Sequence, residues 1–120
     1  MNVEDFRELC LSMPFAKENA PWSEPKYEDL LTYTIGDKWF CLLDLKEERC
    51  NLKCEPGKIL DLQEAYKGIV PAWHMNKKYW FTLYLDSEVP SMKIEELVGK
   101  TYSLVVKKLT KAKRQELGLS

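Results

Sequence analysis

The hydrophobic residues near the N-terminus recur at the spacing of one helical face, which predicts an amphipathic helix over residues 3–12. Asn2 can cap the first turn of this helix, and Pro14 ends it. The stretch that follows, 15–25, carries two prolines and is predicted to be an ordered loop.

Three strands are predicted next. Residues 31–35 alternate between apolar and polar side chains, the period of a half-buried strand. Gly36 and Asp37 suit a type II′ hairpin turn. Residues 39–43 are apolar on both faces and are predicted to form a central strand. Residues 50–54 alternate again, which predicts a third strand with one solvent-facing side.

The middle of the chain is predicted to return from strand to helix. Pro56 suits the first turn of a helix that Gly68 ends. A short strand is possible within residues 69–75. Residues 79–85 give the strongest strand pattern in the chain, with aromatic and apolar side chains at nearly every position.

The last third of the chain is predicted to be helical. Ser91 can cap a short helix that Gly99 interrupts, and residues 102–109 place apolar side chains on one stripe. The predicted order is therefore α-β-β-β-α-β(β)-α. This order favours a two-layer α+β fold, in which one antiparallel sheet has helices packed on one face.

The predicted core is formed by the central strands and the last helix. The side chains expected to be largely buried are Trp39, Cys41, Leu43, Phe81, Leu83, Tyr102, Val105, Val106 and Leu109.

Composition is consistent with one globular domain over residues 1–120, because 45% of the residues are hydrophobic and 31% are charged. No apolar run approaches the roughly 20 residues of a membrane helix, and the acidic N-terminus does not resemble a signal peptide. A cytoplasmic location without membrane contact is therefore expected.

The four cysteines are expected to be reduced and free of metal. Cys50 and Cys54 have the spacing C-x3-C, but the only histidine, His74, lies twenty residues further on. Zinc sites usually combine two tight pairs of ligands. No metal and no cofactor are predicted from this pattern.

Charge is unevenly distributed along the chain. The net charge is −1, but residues 1–70 carry a net −5 and residues 71–120 a net +4. Such asymmetry can mark an interaction face.

Catalysis is not expected. The chain has no nucleophile-elbow, phosphate-loop or dinucleotide motif, and a single histidine beside Trp73 and Met75 is more often structural or simply exposed. The sequence therefore favours a binding protein over an enzyme.

Three segments resemble the MmcQ/YjbR-like family. They are the stretch from Pro71 to Trp80, with its Met-Asn-Lys motif leading into a tryptophan-bearing strand, the strand over 38–43, and the helix over 101–109. The resemblance covers essentially the whole chain. It implies a compact two-layer fold shared with secretion chaperones, and the family's label of "double wing" DNA-binding proteins. Tyr79 stands where the family often has histidine.

Two basic segments are candidates for contacts with DNA, since phosphates require cations and bases stack on aromatic rings. Lysines before a strand can instead serve to discourage edge pairing, and those on a helix can form a solvated face. The candidate residues are Trp73, His74, Asn76, Lys77 and Lys78 in the first segment, and Lys107, Lys108 and Lys111, with Lys113 and Arg114, in the second.

Binding of a protein or peptide is the alternative hypothesis. Secretion-chaperone-like folds can use an exposed sheet face or edge, and the acidic first half of the chain favours such a partner over DNA. A contiguous positive surface that joins the two basic segments would support DNA, whereas a bare apolar sheet face would support a protein partner.

Overall fold

The structure is a computed structural model that describes residues 1–119. The helices are α1 (Val3–Leu11), α2 (Ile59–Ala65), α3 (Ser91–Lys108) and α4 (Lys111–Leu117), with a short 3-10 turn at Pro25–Tyr27. The strands are β1 (Lys17–Asn19), β2 (Leu30–Ile35), β3 (Lys38–Asp44), β4 (Arg49–Lys53), β5 (Ile69–Pro71) and β6 (Trp80–Tyr84).

The six strands form one antiparallel sheet in the order β1-β2-β3-β4-β6-β5. Helix α3 packs across β2, β3 and β4, and α1 lies beside α3. The apolar stripe of α3 and the inward strand residues form one buried cluster, which removes both apolar surfaces from water. The predicted two-layer α+β fold is confirmed.

The other face of the sheet is polar, yet it is also buried. Asn51 and Thr82 are 2% and 1% exposed, because the loop after β5 crosses over them. The Asn51 amide donates to the Trp73 carbonyl over 2.7 Å, and the Trp73 N–H donates to Thr82 Oγ1 over 2.9 Å. The solvent-facing side predicted for β4 is therefore covered at its centre. No bare apolar sheet face is present in residues 1–119.

A β-bulge in β3 changes which of its side chains lie in the core, so the predicted burial of Trp39 is wrong. Trp39 is 37% exposed, although alternation had assigned it to the same face as Cys41. Trp39 pairs with Thr34, while Cys41 pairs with Tyr33, so Phe40 is an extra residue in β3. A bulge breaks the period of two. It places Trp39 on the polar face and Phe40 in the core.

Most of the other predicted core residues are buried: Cys41, Leu43, Phe81, Leu83, Val105 and Leu109. Tyr102 and Val106 are only half-buried, because Thr101, at 0% exposure, occupies the centre of the α3 stripe. Leu109 lies just past the end of α3.

Several predicted boundaries also change. Gly36 and Asp37 have φ angles of +56° and +67°, so the turn is type I′ and not type II′. Helix α3 continues through Gly99, and Ser91 is its first residue without capping it. Helix α2 begins three residues after Pro56. The predicted loop contains β1, which is short and polar and lacks a strand pattern.

Candidate nucleic-acid interface

The two basic segments meet at Tyr79. The Nζ atoms of Lys78 and Lys108 lie 5.5 and 5.8 Å from the centre of its ring. The backbone carbonyl of Tyr79 accepts a 2.8 Å hydrogen bond from the N–H of Cys54, which fixes the start of β6 against the end of β4. The last turn of α3 passes over the same end of the sheet and brings Lys108 to the ring.

Lys53 completes this arrangement, although no sequence pattern pointed to it. Its Nζ atom lies 5.9 Å from the centre of the Trp80 ring. Burial, and then the positive charges of Lys108 and Lys38, lower the pKa of Lys53 below its usual range. The alternation of β4 predicted only a solvent-facing lysine, and nothing in it indicated that the end of α3 would lie alongside.

Thr101 holds the end of α3 in this position. Its hydroxyl donates to the carbonyl of Phe40 and accepts from the N–H of Lys53, both over 2.8 Å. The bulge at Phe40 and the end of the β3–β4 ladder leave these two backbone groups without partners in the sheet. A buried threonine side chain therefore couples the helix to the strands that carry the lysines.

We call Lys53, Lys78, Lys108, Tyr79 and Trp80 the basic cluster. Within residues 1–119, none of its three lysines has a carboxylate oxygen within 4.0 Å. Four other lysines do form such ion pairs: Lys58, Lys93, Lys100 and Lys113. The cluster thus holds like charges together without a carboxylate partner among the described residues.

The other predicted residues of the first segment lie around the cluster. Asn76 organises the loop, since its side chain accepts from the Lys78 N–H over 2.9 Å and its carbonyl accepts from Trp80. Lys77 is exposed in the same turn. Trp73 instead packs on the polar face of the sheet, with the Arg49 guanidinium 4.2 Å from its ring centre.

His74 is exposed and lies against Trp73, with the two ring centres 4.5 Å apart. Its φ of +55° is unusual for a residue with a side chain. No contact brings Trp73 or His74 to the lysines of the cluster in the described part of the chain, so the structure groups them with the loop.

The second basic segment divides between two helices. Lys107 points to a groove of about 760 Å3 between α2 and α3, which Gly99 and the half-buried thiol of Cys54 also line. Lys111 is exposed at the start of α4. Lys113 pairs with Glu116 at 3.7 Å and Asp37 at 3.9 Å, which leaves it less available for another anion.

The cysteines occupy apolar surroundings. Cys10, Cys41 and Cys50 are buried in the core, and burial raises the pKa of the Cys41 thiol. Burial likewise raises the pKa of Cys54. Among residues 1–119, no three histidine, cysteine or carboxylate side chains are arranged to hold a metal ion.

Comparison with known proteins decides the family. The YjbR family model matches residues 11–104 of the chain. The chain belongs to the YjbR family. Uncharacterized protein YbdF of Escherichia coli O157:H7 is 34% identical over 112 residues, which cover 90% of this chain and 87% of YbdF. Uncharacterized protein YjbR of Escherichia coli K12 is 28% identical and covers 98% of both chains.

Two solved structures share this fold. Deinococcus radiodurans protein DR2400, which has a DUF419 domain, superposes with a TM-score of 0.87 at 35% identity, covering 99% of this chain and 89% of that one. A Pseudomonas syringae protein superposes with a TM-score of 0.74 at 25% identity, covering 87% and 98%. None of the helices within residues 1–119 is long and apolar enough to cross a membrane.

Proposed function

We propose that this YjbR-family protein binds DNA through the basic cluster, chiefly by neutralising phosphates, and that it acts as a binding protein and not as an enzyme. The observation that carries the proposal is the meeting of Lys53, Lys78 and Lys108 around two aromatic rings without a carboxylate partner in residues 1–119. Phosphate oxygens would relieve the repulsion between these ammonium groups.

The surrounding charges extend the same surface. Lys77 and Lys38 are exposed near the cluster, and Lys111 is exposed on α4 beyond the end of α3. A polyanion such as DNA can contact several of these lysines at once, and each contact releases condensed counterions. This gain accumulates along a polymer and is absent for a single small anion.

Binding is expected to be weak and insensitive to sequence. The cluster offers lysines, which contact phosphates, and lacks the arginine, asparagine and glutamine side chains that usually read base edges. The acidic first half of the chain, with a net charge of −5, also opposes a large footprint. Three phosphate contacts on a duplex would give a salt slope of about −2.7 in log K against log salt.

Fluorescence anisotropy with a short labelled DNA at low and moderate salt tests the proposal. The variant Lys78→Gln with Lys108→Gln should weaken binding strongly and reduce the salt slope by about two phosphate contacts. The matched control is Lys46→Gln with Lys67→Gln. It removes the same charge from exposed lysines at the opposite end of the sheet and should change binding little.

Two results would contradict the proposal. One is the absence of binding at low salt, and the other is equal weakening by the cluster variant and by its control. Equal weakening would mean that DNA responds only to net charge and not to this surface.

A further inference from the structure

We infer that the preferred nucleic acid is single-stranded, with its bases stacked on Tyr79 and Trp80 while the neighbouring lysines hold its phosphates. This inference rests on the proposed function and names the form of nucleic acid that the same site takes. It is carried by the position of two consecutive aromatic rings among the lysines.

The two rings are adjacent in the chain, and a cation from a different element lies beside each. Tyr79 is in the turn just before β6, and Trp80 is the first residue of that strand. Tyr79 has Lys108 from the helical layer beside it, and Trp80 has Lys53 from the neighbouring strand. Both rings are half-buried. A single strand of nucleic acid that crosses this end of the sheet would meet two pairs of a ring and a cation: Tyr79 with Lys108, and Trp80 with Lys53.

The ring faces can be vacated. The groups over them are lysine ammonium ends 5.5 to 5.9 Å from the ring centres, on side chains without a carboxylate anchor in residues 1–119. A lysine side chain is flexible and can turn from a ring toward a phosphate. A base can then occupy the ring face.

Trp73 provides a contrast within the same molecule. Its ring is covered at 4.2 Å by Arg49, and Arg49 is held by Asp44 through a 3.3 Å ion pair. A planar guanidinium fixed in this way occupies the stacking surface. At Tyr79 and Trp80, unlike at Trp73, the cation over the ring is a lysine without a carboxylate anchor in residues 1–119.

The chemistry of the ligand follows from this pairing of rings and cations. Each nucleotide of an unpaired strand presents a flat base face next to a phosphate, and proteins that bind single strands use aromatic rings with basic grooves. In a duplex the base faces are stacked on one another, so the rings of Tyr79 and Trp80 would gain nothing. Because every base has such a face, the binding should tolerate any sequence.

The test compares three labelled probes at one salt concentration: a 12-nucleotide oligothymidylate, an abasic strand of the same length, and a 12-base-pair duplex. The oligothymidylate should bind roughly 5- to 150-fold more tightly than the abasic strand for each stacked base. Trp80→Leu should reduce this advantage and leave the salt slope unchanged, whereas Trp80→Phe, which keeps a ring, should retain most of it.

The outcomes separate this inference from the proposed function. Duplex binding as tight as that of oligothymidylate, or equal binding of the abasic strand, would overturn the inference and leave DNA binding in place. No binding of any probe would remove both. If Trp80→Leu does not fold, Tyr79→Leu provides the second ring variant, because Tyr79 precedes the strand. The wild-type comparison of oligothymidylate with the abasic strand also decides, without any variant, whether bases contribute to binding.

Discussion

The ammonium nitrogen of Lys108, in the last turn of α3, lies 5.8 Å from the centre of the Tyr79 ring at the start of β6. This contact brings together two basic segments that are almost thirty residues apart in the chain. Lys53 reaches the same place from β4. Its pKa is lowered first by burial and then by the positive charges of Lys108 and Lys38. The proposed function depends on this convergence.

The pKa of Lys53 should depend directly on the positive charges near it. Its pKa in the folded protein lies below the ordinary 10.5, first through burial and then through Lys108 and Lys38. Between the two pKa values this lysine binds more protons in the unfolded chain, so Lys53 contributes a rise with pH to the free energy of unfolding, while the raised thiol pKa values of Cys41 and Cys54 contribute a fall. Lys108→Gln should raise the Lys53 pKa toward 10.5 and reduce the rise that Lys53 contributes.

Side-chain NMR titration of the lysines, with urea melts below and within the window, provides the measurement. Lys46→Gln removes an equal charge far from the cluster and should leave the Lys53 pKa unchanged. A Lys53 pKa that is the same in wild type and in Lys108→Gln would show that the two ammonium groups do not interact.

Thr101→Val should destabilise the fold. The substitution keeps the shape of the side chain but removes the hydroxyl that serves Phe40 and Lys53. Each buried backbone group left without a partner costs about 1–3 kcal/mol. Thr101→Ser retains the hydroxyl and should cost only about 1 kcal/mol for the lost methyl group. Equal urea midpoints for the two variants would exclude the hydrogen-bonding role.

Val105→Asp should destabilise the protein by several kcal/mol, about 3–5, because the residue is 2% exposed in the interface between α3 and the sheet. The penalty is that of an unpaired charge in an apolar core. The control is Met92→Asp near the start of α3, where the side chain is 82% exposed. A urea melt of Val105→Asp that matches the wild-type melt would contradict the packing.

Gly99→Ala should stabilise the protein by about 0.5–1 kcal/mol, because alanine has a higher helix propensity. A Cβ atom at Gly99 would have no atom within 4 Å and would extend into the groove between α2 and α3. Gly36→Ala provides the comparison, since its φ is +56° and its Cβ would lie 3.0 Å from Leu109. Thermal melts should move in opposite directions for the two variants.

Local signals in the sequence were sufficient for much of the fold. Asn2 was predicted to cap α1, and its Oδ1 accepts from the Asp5 N–H over 2.7 Å. Capping requires only residues within one turn, so sequence spacing contains the information. The alternating strands were predicted for the same reason, whereas β1, which lies in the predicted loop, was not. The family resemblance was confirmed over most of the chain.

The errors have long-range causes. Trp39 was expected in the core, but the bulge at Phe40 arises from pairing with β2 and is invisible to a period of two. Gly99 was expected to interrupt a helix, yet packing of α3 on the sheet overrides its low propensity. The site was partly predictable: Lys78 and Lys108 were selected, whereas Lys53 needed the folded position of α3.

The most direct test of the central claim is an NMR titration of the 15N-labelled protein with a 12-nucleotide oligothymidylate at low salt. The amide signals of residues 53, 78–80 and 108, and the indole N–H of Trp80, should shift together and saturate with one affinity. Signals around Lys46 and Lys67, at the opposite end of the sheet, should remain in place. Shifts centred instead on the groove at Gly99, or no shifts at all, would contradict the assignment of DNA binding to the basic cluster.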